Sequence, residues 1–298
     1  MASDASYRSG FVTLAGRSNV GKSTLLNRLV GHKVAIVTPR PQTTRRRIAG
    51  ICTDGEAQVI FVDTPGLHEA QRALNKRMLE EARRSLREGD LVVAVVEAAA
   101  HLSAEERTFL NELRHLRPPQ IVAVNKIDLL RRPRMLPMLQ QCQEAVPESE
   151  IVPVSALTGE NTDTLLRLIK QKLPAGPQLM ESDEYTTESE RSLAEEIVRE
   201  KIFLAMRQEI PFSTAVRVEQ FLDDEARGLA RIAAVIVVER DSQKGMLIGA
   251  SGRVLKAIGT QARLELEEVL GRRVFLELFV KVERNWTRDP RRVAELIG

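Results

Sequence analysis

Near its start, the 298-residue chain carries the stretch Gly16-Arg17-Ser18-Asn19-Val20-Gly21-Lys22-Ser23, whose spacing is G-x-x-x-x-G-K-S. The apolar run 11–15 precedes this stretch, and a helical pattern that begins at Thr24 follows it. A strand, a glycine-rich loop and a helix in this order are typical of a phosphate-binding loop, where backbone N–H groups and the start of the helix surround phosphate oxygens. All eight residues are therefore candidate phosphate-binding residues. We expect Lys22 to reach the β- and γ-phosphates and the Ser23 hydroxyl to bind Mg²⁺.

A second stretch, Asn125-Lys126-Ile127-Asp128, indicates which base the site selects. It follows the apolar run 121–124, which is typical of a buried strand. The Asp128 carboxylate can accept hydrogen bonds from N1–H and the 2-amino group of guanine, whereas adenine places an acceptor at the equivalent ring nitrogen. Asn125 can hold the base edge and the phosphate loop, and the stem of Lys126 can cover the ring. The stretch predicts GTP or GDP as the ligand rather than ATP.

Two shorter motifs complete the predicted nucleotide site. Asp63-Thr64-Pro65-Gly66 follows the apolar run 59–62, so Asp63 can hold Mg²⁺ through water and the Gly66 N–H can sense the γ-phosphate. Ser155-Ala156-Leu157 follows the run 151–154, and the Ala156 N–H can donate to O6 of guanine. All four motifs follow predicted strands, and ligands of open α/β sheets bind at the carboxyl ends of the strands.

Strands and helices alternate along the first 173 residues, which predicts an α/β fold with a mostly parallel P-loop sheet flanked by helices. The pair Asp54-Gly55 is typical of a tight hairpin turn and predicts that the second strand is an antiparallel edge. The predicted strands are 11–15, 48–53, 58–62, 91–96, 121–124 and 151–154.

The composition changes after this region. Pro174-Ala175-Gly176-Pro177 ends the preceding helical pattern, and residues 181–190 are acidic and lack periodicity. We therefore predict a GTP-binding G domain over residues 1–173, an interdomain linker over 174–190 and a smaller second domain over 191–298.

The second domain carries its own signature. Residues 244–258 read Lys-Gly-Met-Leu-Ile-Gly-Ala-Ser-Gly-Arg-Val-Leu-Lys-Ala-Ile, which matches a KH domain, where a G-x-x-G loop joins two helices and clamps a single-stranded backbone. Apolar runs over 232–238 and 274–280 supply strands for an α+β domain of the type II KH class. The alternative is a glycine-rich turn in another α+β domain. The candidate RNA-binding residues are Lys244, Ile248, Gly249, Ala250, Ser251, Gly252, Arg253 and Lys256.

Composition limits the other classes of function. Hydrophobic residues make up 43% of the chain and charged residues 29%, as in globular proteins, and the net charge of +3 is too small to indicate nucleic acid by itself. The N-terminus lacks the pattern of a signal peptide, and no apolar run is long enough to span a membrane. Cys52 and Cys142 are isolated and lack metal-ligand spacing, so we expect reduced thiols in a cytoplasmic protein.

With both signatures in place, the chain resembles the Era family of bacterial GTPases, which carry a C-terminal KH domain. The resemblance extends from about Gly10 to Trp286. It implies GTP hydrolysis, binding to the 3′ end of 16S ribosomal RNA, and assistance in 16S rRNA processing and small ribosomal subunit (30S) biogenesis. It also implies a monomer with some peripheral association with the inner face of the cell membrane. The segments that carry it are the phosphate loop, Arg40-Pro41-Gln42-Thr43-Thr44-Arg45, Asp63-Thr64-Pro65-Gly66-Leu67-His68, Asn125-Lys126-Ile127-Asp128, Arg199-Glu200-Lys201 and Lys244-Gly245-Met246-Leu247-Ile248-Gly249.

Leu67 raises a question about the rate of hydrolysis. It stands where Ras-like GTPases place a glutamine that orients water, and a leucine cannot hydrogen-bond the attacking water. The sequence therefore predicts slow intrinsic hydrolysis. Relatives with this apolar replacement can use K⁺ beside the phosphates, bound partly through an asparagine at the position of Asn19. The alternative is that Asn19 only shapes the loop.

Thr44 is the candidate for the second direct Mg²⁺ ligand because it precedes Arg45 as the switch threonine precedes arginine in similar GTPases, with Thr43 as the alternative. The arginines 40, 45, 46 and 47 either form a solvated face or contact RNA phosphates in the GTP state. The candidate switch residues are Gln42, Thr43, Thr44, Arg45, Arg46, Thr64, Pro65 and Leu67.

The KH loop departs from the family in one respect. Era relatives commonly carry lysine inside the loop, whereas Ala250-Ser251 are neutral here, so Lys244, Arg253 and Lys256 are expected to compensate. Trp286 either stacks a base or anchors the last helix. Two functions remain open: a GTPase whose hydrolysis ends an RNA-bound state, and an RNA-binding assembly factor whose nucleotide site is a conformational switch with incidental turnover. A domain that binds protein or membrane instead of RNA is a minor third.

Overall fold

The computed structural model describes residues 7–40, 43–66, 73–206 and 210–297. The predictions for Gln42 and Leu67 therefore lie outside the described residues. Contacts divide the chain into two compact units. Among the described residues, the first unit comprises 7–35, 44–66 and 78–187, and the second comprises 36–40, 43, 73–77, 188–206 and 210–297.

The first unit is built on a six-stranded sheet in the order β2-β3-β1-β4-β5-β6. All neighbouring strands are parallel except β2, which runs antiparallel to β3 at the edge of the sheet. This confirms the predicted fold class and the predicted antiparallel edge. The strands are β1 Arg8–Ala15, β2 Ile48–Thr53, β3 Ala57–Asp63, β4 Leu91–Glu97, β5 Gln120–Asn125 and β6 Glu150–Pro153.

Among the described residues, the helices beside these strands are α1 Lys22–Val30, α2 Ala73–Glu88, α3 Ala104–Leu113, α4 Arg132–Ala145 and α5 Thr162–Lys172, of which α2 belongs to the first unit from Met78 onward. Successive side chains of a strand point to opposite faces, and β4 accordingly supplies two cores. Val93 and Val95 pack into the core that contains Leu25 of α1, whereas Val92 and Ala94 pack into the core on the other face. Covering both faces is what makes these parallel strands read as continuous apolar runs.

The order of the strands places the phosphate loop. Strand β1 lies between β3 and β4, so the chain winds outward from it in both directions. The crevice at the carboxyl end of such a switch point is where doubly wound sheets bind ligands. The loop 16–21 begins there, directly after β1, and leads into α1.

The segment 174–187 differs from the prediction. We expected it to be part of a linker, but it belongs to the first unit and lies along the sheet. The Ile51 N–H donates to the carbonyl of Tyr185 over 2.9 Å, and Gly50 forms an isolated bridge with Thr186. Because β2 is an edge strand with backbone groups to satisfy, it can pair with a segment that has no strand-like pattern of its own. The boundary between the units falls between Thr187 and Glu188.

The second unit contains a three-stranded sheet in the order β7-β8-β9. Strand β8 pairs antiparallel with β7 and parallel with β9. One face of this sheet packs against α6 and α8 around Val198, Ile236 and Ala262. The elements are α6 Glu190–Ala205, β7 Ala215–Asp224, β8 Leu229–Val238, α7 Asp241–Ile248, α8 Arg253–Leu270, β9 Arg273–Val282 and α9 Pro290–Ile297.

Two predictions about the second unit can be compared directly with these elements. The G-x-x-G sequence 249–252 joins α7 to α8, as a KH domain requires. Trp286 is 1% exposed and its indole N–H donates to the carbonyl of Ser213 over 3.1 Å, so it anchors the chain before α9 and does not stack a base. Among the described residues, none of the helices combines the length and apolar character needed to cross a membrane.

Gln58 holds the segment 174–187 in place, so mutating it measures how much this attachment contributes to the stability of the fold. Its buried amide oxygen accepts from the N–H groups of Leu179 and Met180 over 2.7 and 2.8 Å, and its nitrogen donates to the carbonyl of Met180. Gln58→Ala should lower the free energy of unfolding by about 2 kcal/mol, because it leaves the backbone groups of Leu179 and Met180 without their hydrogen-bond partner. Urea denaturation followed by circular dichroism measures this change.

The matched control is Gln140→Ala. Gln140 is exposed on α4 and bonds to the neighbouring Glu144 on the same helix, so its loss should change the free energy of unfolding by less than about 0.5 kcal/mol. Equal unfolding curves for the two variants would contradict the role assigned to Gln58.

Candidate functional site

The phosphate loop is packed so closely that two of its glycines have no room for a side chain. A Cβ atom at Gly16 would lie 2.2 Å from the carbonyl oxygen of Val95, and one at Gly21 would lie 2.3 Å from Nδ2 of Asn125. Gly21 also has a φ of 95°, which favours glycine, and it directly precedes the first residue of α1. The spacing of the motif is thus explained by contacts with β4 and with the end of β5.

Lys22 is buried and lies against the loop that it follows. Its Nζ donates to the carbonyls of Gly16 and Arg17 over 3.1 and 3.0 Å. Burial lowers the pKa of the Lys22 ammonium, and the nearby Asp63 carboxylate opposes this shift. The lysine therefore points into the concave side of the loop, where a cation on a flexible stem can meet phosphate oxygens.

Three oxygen-bearing side chains meet beside the loop. The hydroxyls of Ser23 and Thr44 both donate to Oδ2 of Asp63, over 2.6 and 3.0 Å, and lie 3.0 Å from each other. Burial raises the pKa of Asp63, although Lys22 lowers it in part. Hydroxyl and carboxylate oxygens are hard donors of the kind that Mg²⁺ prefers. The buried Oδ1 of Asp63 has no hydrogen-bond partner, and a metal-bound water could satisfy it, so these residues fit the ion.

The geometry also separates Thr44 from its alternative. The hydroxyl of Thr43 donates to the carbonyl of Arg40 over 2.8 Å and lies 2.7 Å from that of Thr38. Thr44, in contrast, already contacts Ser23 and Asp63. This arrangement favours Thr44 as the threonine of the metal site.

The residues of the predicted base site come together at the ends of β5 and β6. The side chain of Asn125 donates from Nδ2 to the carbonyl of Val20 over 2.8 Å, and its Oδ1 accepts from the N–H of Ala156 over 2.9 Å. Oδ1 of Asp128 accepts from the Ser155 hydroxyl over 2.5 Å. One oxygen of Asp128 is thereby fixed by Ser155, which orients the carboxylate for a ligand with paired N–H groups.

The role predicted for Ala156 differs in one detail. Its N–H was expected to donate to guanine O6, but in this structure it donates to Asn125 instead. The reason is the bridging position of the Asn125 amide, which reaches the loop after β6 as well as the phosphate loop. Donation to guanine would require this N–H to be shared between the two acceptors.

Sequence reasoning missed two residues that support the base site. Glu97 at the end of β4 pairs with the Lys126 ammonium over 2.7 Å and so holds its stem in place. Arg28 of α1 donates to the carbonyls of Ala156 and Leu157 over 3.2 and 2.6 Å. Neither residue has a sequence signal, because each acts across the fold rather than within a motif.

The motif at the end of β3 is fixed by close contacts. The Thr64 hydroxyl is buried and donates to the carbonyl of Leu14 over 2.9 Å. A Cβ atom at Gly66 would lie 2.7 Å from the backbone nitrogen of Ser18, so only glycine can approach the phosphate loop here. The arginines that follow the switch threonine are not a uniformly solvated face, since Arg45 is buried and Arg47 pairs with Glu88 over 3.0 Å.

The segment before Thr44 is held within the second unit by α6. The N–H of Val37 donates to Oε1 of Glu200 over 2.9 Å, and Nη2 of Arg199 donates to the carbonyl of Thr43 over 2.6 Å. Lys201 ion-pairs with both Glu200 and Glu265 of α8. The stretch Arg199-Glu200-Lys201, which the sequence offered only as a family resemblance, therefore fixes the residues that precede the switch threonine.

The KH loop presents its backbone to solvent. Gly249, Ser251 and Gly252 have φ values of 69°, 53° and 77°, which turn the chain sharply between α7 and α8. Ala250 and Ser251 are exposed, as are Arg253 and Lys256 beside them. A Cβ atom at Gly249 would lie 2.5 Å from Val254, whereas one at Gly252 would meet nothing within 4 Å. Close packing thus requires the first glycine, and the second leaves room for a ligand.

An open groove of about 390 Å³ continues from this loop between α8 and β9. Its floor is apolar and its rim basic, which suits bases below and phosphates above. Of its residues, the sequence identified Gly252 and Lys256 but missed those on β9 and along α8. The groove is lined by Gly252, Leu255, Lys256, Gly259, Thr260, Arg263, Leu276 and Leu278.

Comparison with known proteins identifies a GTPase domain and a KH domain in this chain. A family model described as a 50S ribosome-binding GTPase matches residues 11–126, and a KH domain model matches residues 209–287. GTPase Era from Geobacter metallireducens is 47% identical over 99% of each chain. GTPase Era from Syntrophus aciditrophicus is 47% identical over 97% of this chain and 94% of its own.

Solved structures of Era proteins are also similar to this chain over nearly its whole length. A crystal structure of an Aquifex aeolicus Era variant bound to GDP and AlF4⁻ aligns with a TM-score of 0.93 at 40% identity, covering 97% of this chain and 98% of its own. Era in complex with MgGDPNP and nucleotides 1506–1542 of 16S ribosomal RNA aligns with the same score, identity and coverage.

Asp128→Asn tests the base site. An amide in place of the carboxylate presents a donor to the N–H groups of guanine, so the Kd for GDP should rise at least tenfold. Xanthosine diphosphate, whose base carries a carbonyl where guanine carries the 2-amino group, should bind the variant better than it binds the wild type. Competition against a fluorescent nucleotide measures both. Asp163→Asn, at the start of α5, is the control, and loss of all nucleotides without a gain for xanthosine diphosphate would contradict the assignment.

Proposed function

Because this chain belongs to the Era family of GTPases, we propose that it uses GTP binding and slow hydrolysis to control its binding of the 3′ end of 16S ribosomal RNA. In this role it assists 16S rRNA processing and assembly of the small ribosomal subunit. The observation that carries the proposal is that one chain holds the guanine-nucleotide motifs and a KH loop with an apolar groove. The related Era complex, which contains MgGDPNP and a 16S rRNA fragment, supports both ligands.

In the proposed mechanism, the first unit binds GTP through the loops that follow β1, β3, β5 and β6. The backbone N–H groups of 16–23 and the Lys22 ammonium hold the phosphates, while Asp128 and Asn125 orient the base. Ser23 and Thr44 would bind Mg²⁺ directly and Asp63 through water. When bound, this ion neutralises charge that develops on the β- and γ-phosphate oxygens. The chain supplies positioning and electrostatic stabilisation, which is most of what phosphoryl transfer needs.

We propose that K⁺ accelerates hydrolysis through Asn19. This residue is exposed on the phosphate loop with a φ of 65°, and Leu67 leaves the attacking water without a side-chain amide. A cation beside the phosphates would replace part of the stabilisation that is otherwise missing.

Asn19→Ala should therefore abolish a several-fold stimulation of GTP turnover by K⁺ over Na⁺. Phosphate release in 0.2 M of either salt measures it, and the Kd for GDP shows that nucleotide still binds. Equal turnover of the wild type in both salts would refute the K⁺ proposal, and an effect of the mutation on the Kd alone would show that Asn19 only shapes the loop.

Gly252→Asp tests the RNA-binding half of the proposal. The new carboxylate would stand at the mouth of the groove and repel phosphates. A Cβ atom there would meet nothing within 4 Å, and the strain of an aspartate at a φ of 77° is reproduced by the control variant. Crosslinking in cells followed by sequencing should show small-subunit RNA enriched with the wild type and lost with the variant. The control is Gly271→Asp, because Gly271 has a similar φ of 65° and equally open surroundings but lies at the far end of α8. Absence of enrichment with the wild type would overturn the ribosomal role.

A second function is favoured by Leu67, which predicts slow turnover. The chain would then act mainly as an RNA-binding assembly chaperone, with the nucleotide site as a conformational switch. GTP turnover with and without the 16S rRNA fragment separates the two: stimulation by RNA supports the enzyme, and indifference supports the chaperone. A cytoplasmic monomer with peripheral membrane association is the remaining expectation from the family resemblance.

A further inference from the structure

Part of the second face of this sheet is exposed at strand β9, although Val235 and Val237 of β8 are buried on the same face. Alternate residues of β9 point to opposite sides, and Val274, Leu276 and Leu278 face the helices. On the other side, Phe275 and Phe279 are 51% and 55% exposed. We call the exposed part of this side the open face and define it by Phe275, Glu277, Phe279, Leu222, Ala233, Arg231, Arg273 and Lys281.

The two phenylalanines contribute little to the core. Phe61, Phe109 and Phe203 are buried, and the interior positions of β9 are filled by their aliphatic neighbours. The two rings are four positions apart along the strand, so their Cα atoms lie roughly 13 Å apart on one surface. Glu277 lies between them on the same side, opposite Ala233 of β8. Each ring is therefore accessible to a planar partner of its own.

The charges around the rings are mainly positive. Arg231 on β8 is the register partner of Phe275 on β9. Arg273 and Lys281 lie on the same side of β9, before and after the two rings. All three are exposed, and Glu277 is the single acidic residue of β9 on this side. Aromatic rings flanked by cations are typical of surfaces that bind single-stranded nucleic acid, where rings stack bases and cations bind phosphates.

We propose that the open face is a second contact for single-stranded RNA, in which Phe275 and Phe279 each stack a base. Arg231, Arg273 and Lys281 bind the flanking phosphates. This site is separate from the groove beside the KH loop, because the groove uses Leu276 and Leu278 on the opposite side of the same strand. The inference rests on the proposed RNA-binding function and extends it from one face of β9 to both.

Charge favours RNA over a protein as the occupant. A protein partner for an apolar sheet face would bring a matching apolar surface, and three cations around two rings would be costly to desolvate there. Phosphates neutralise these same cations. Single-stranded RNA therefore satisfies both features of the face at once.

The test measures binding of an RNA with the sequence of nucleotides 1506–1542 of 16S rRNA by fluorescence anisotropy. The double variant F275L/F279L keeps apolar bulk but removes the rings, and its Kd should rise at least tenfold. F275Y/F279Y keeps the rings and should bind within about twofold of the wild type. Leu264→Ala removes an equally exposed apolar side chain from α8 and is the control. Equal melting temperatures exclude a folding defect.

Salt dependence and crosslinking give independent readouts. The triple variant R231Q/R273Q/K281Q should reduce the slope of log K against log salt by about 2, because single strands contribute about 0.7 per phosphate contact. In Gly252→Asp, which blocks the loop, photocrosslinks to Phe275 and Phe279 should persist at high RNA concentration.

The outcomes are distinguishable. If the wild type fails to bind this RNA, the proposed function itself fails. If the wild type binds while F275L/F279L binds equally well, and all crosslinks map to the KH loop, only the open face is refuted. Unchanged RNA affinity together with loss of a small-subunit protein contact in F275L/F279L would make the face a protein-docking surface and would also overturn the proposal.

Discussion

The side-chain amide of Asn125 is the interaction on which the nucleotide site depends. It donates to Val20 of the phosphate loop and accepts from Ala156 after β6, so three loops share one planar group. Gly21 lies so close to this amide that a Cβ would overlap Nδ2. Each buried partner left without its hydrogen bond would cost about 1–3 kcal/mol. The Asn125 amide thereby couples the phosphate subsite to the base subsite, and a mutation in one subsite would disturb the other.

The predicted metal site combines oxygens from three separate parts of the chain. Ser23 and Asp63 belong to rigid elements of the sheet unit, at the start of α1 and the end of β3. Thr44, the third oxygen, directly follows Thr43, whose carbonyl is held by Arg199 of α6. Two consecutive threonines thus have different attachments: the Thr44 hydroxyl bonds within the first unit and the Thr43 carbonyl within the second. The family segment Arg199-Glu200-Lys201 therefore has a structural role within the second unit, where it holds the backbone of Val37 and Thr43.

The sequence predicted what is encoded locally. The strands of the first unit were placed to within a few residues because buried parallel strands are continuous apolar runs, and the four nucleotide motifs follow them. Contacts between distant residues could not be predicted in this way. Three features depend on side chains that meet only in the folded chain: the bond from the Ala156 N–H to Asn125, the support from Arg28 and Glu97, and the groove floor at Leu276 and Leu278. Strand β7 and helix α6 were missed because their mixed patterns carry no motif.

The segment 174–187 also changes how the first unit should be delimited. Its backbone covers part of the outer side of β2, where Ile51 and Gly50 would otherwise present unpaired groups. An uncovered edge strand is a template for pairing with another chain. A fragment that ends after Leu173 would leave this edge bare and be prone to self-association, whereas one that ends after Thr187 would keep it protected. These fourteen residues resemble a linker in sequence, but by covering the edge strand they protect the first unit against aggregation.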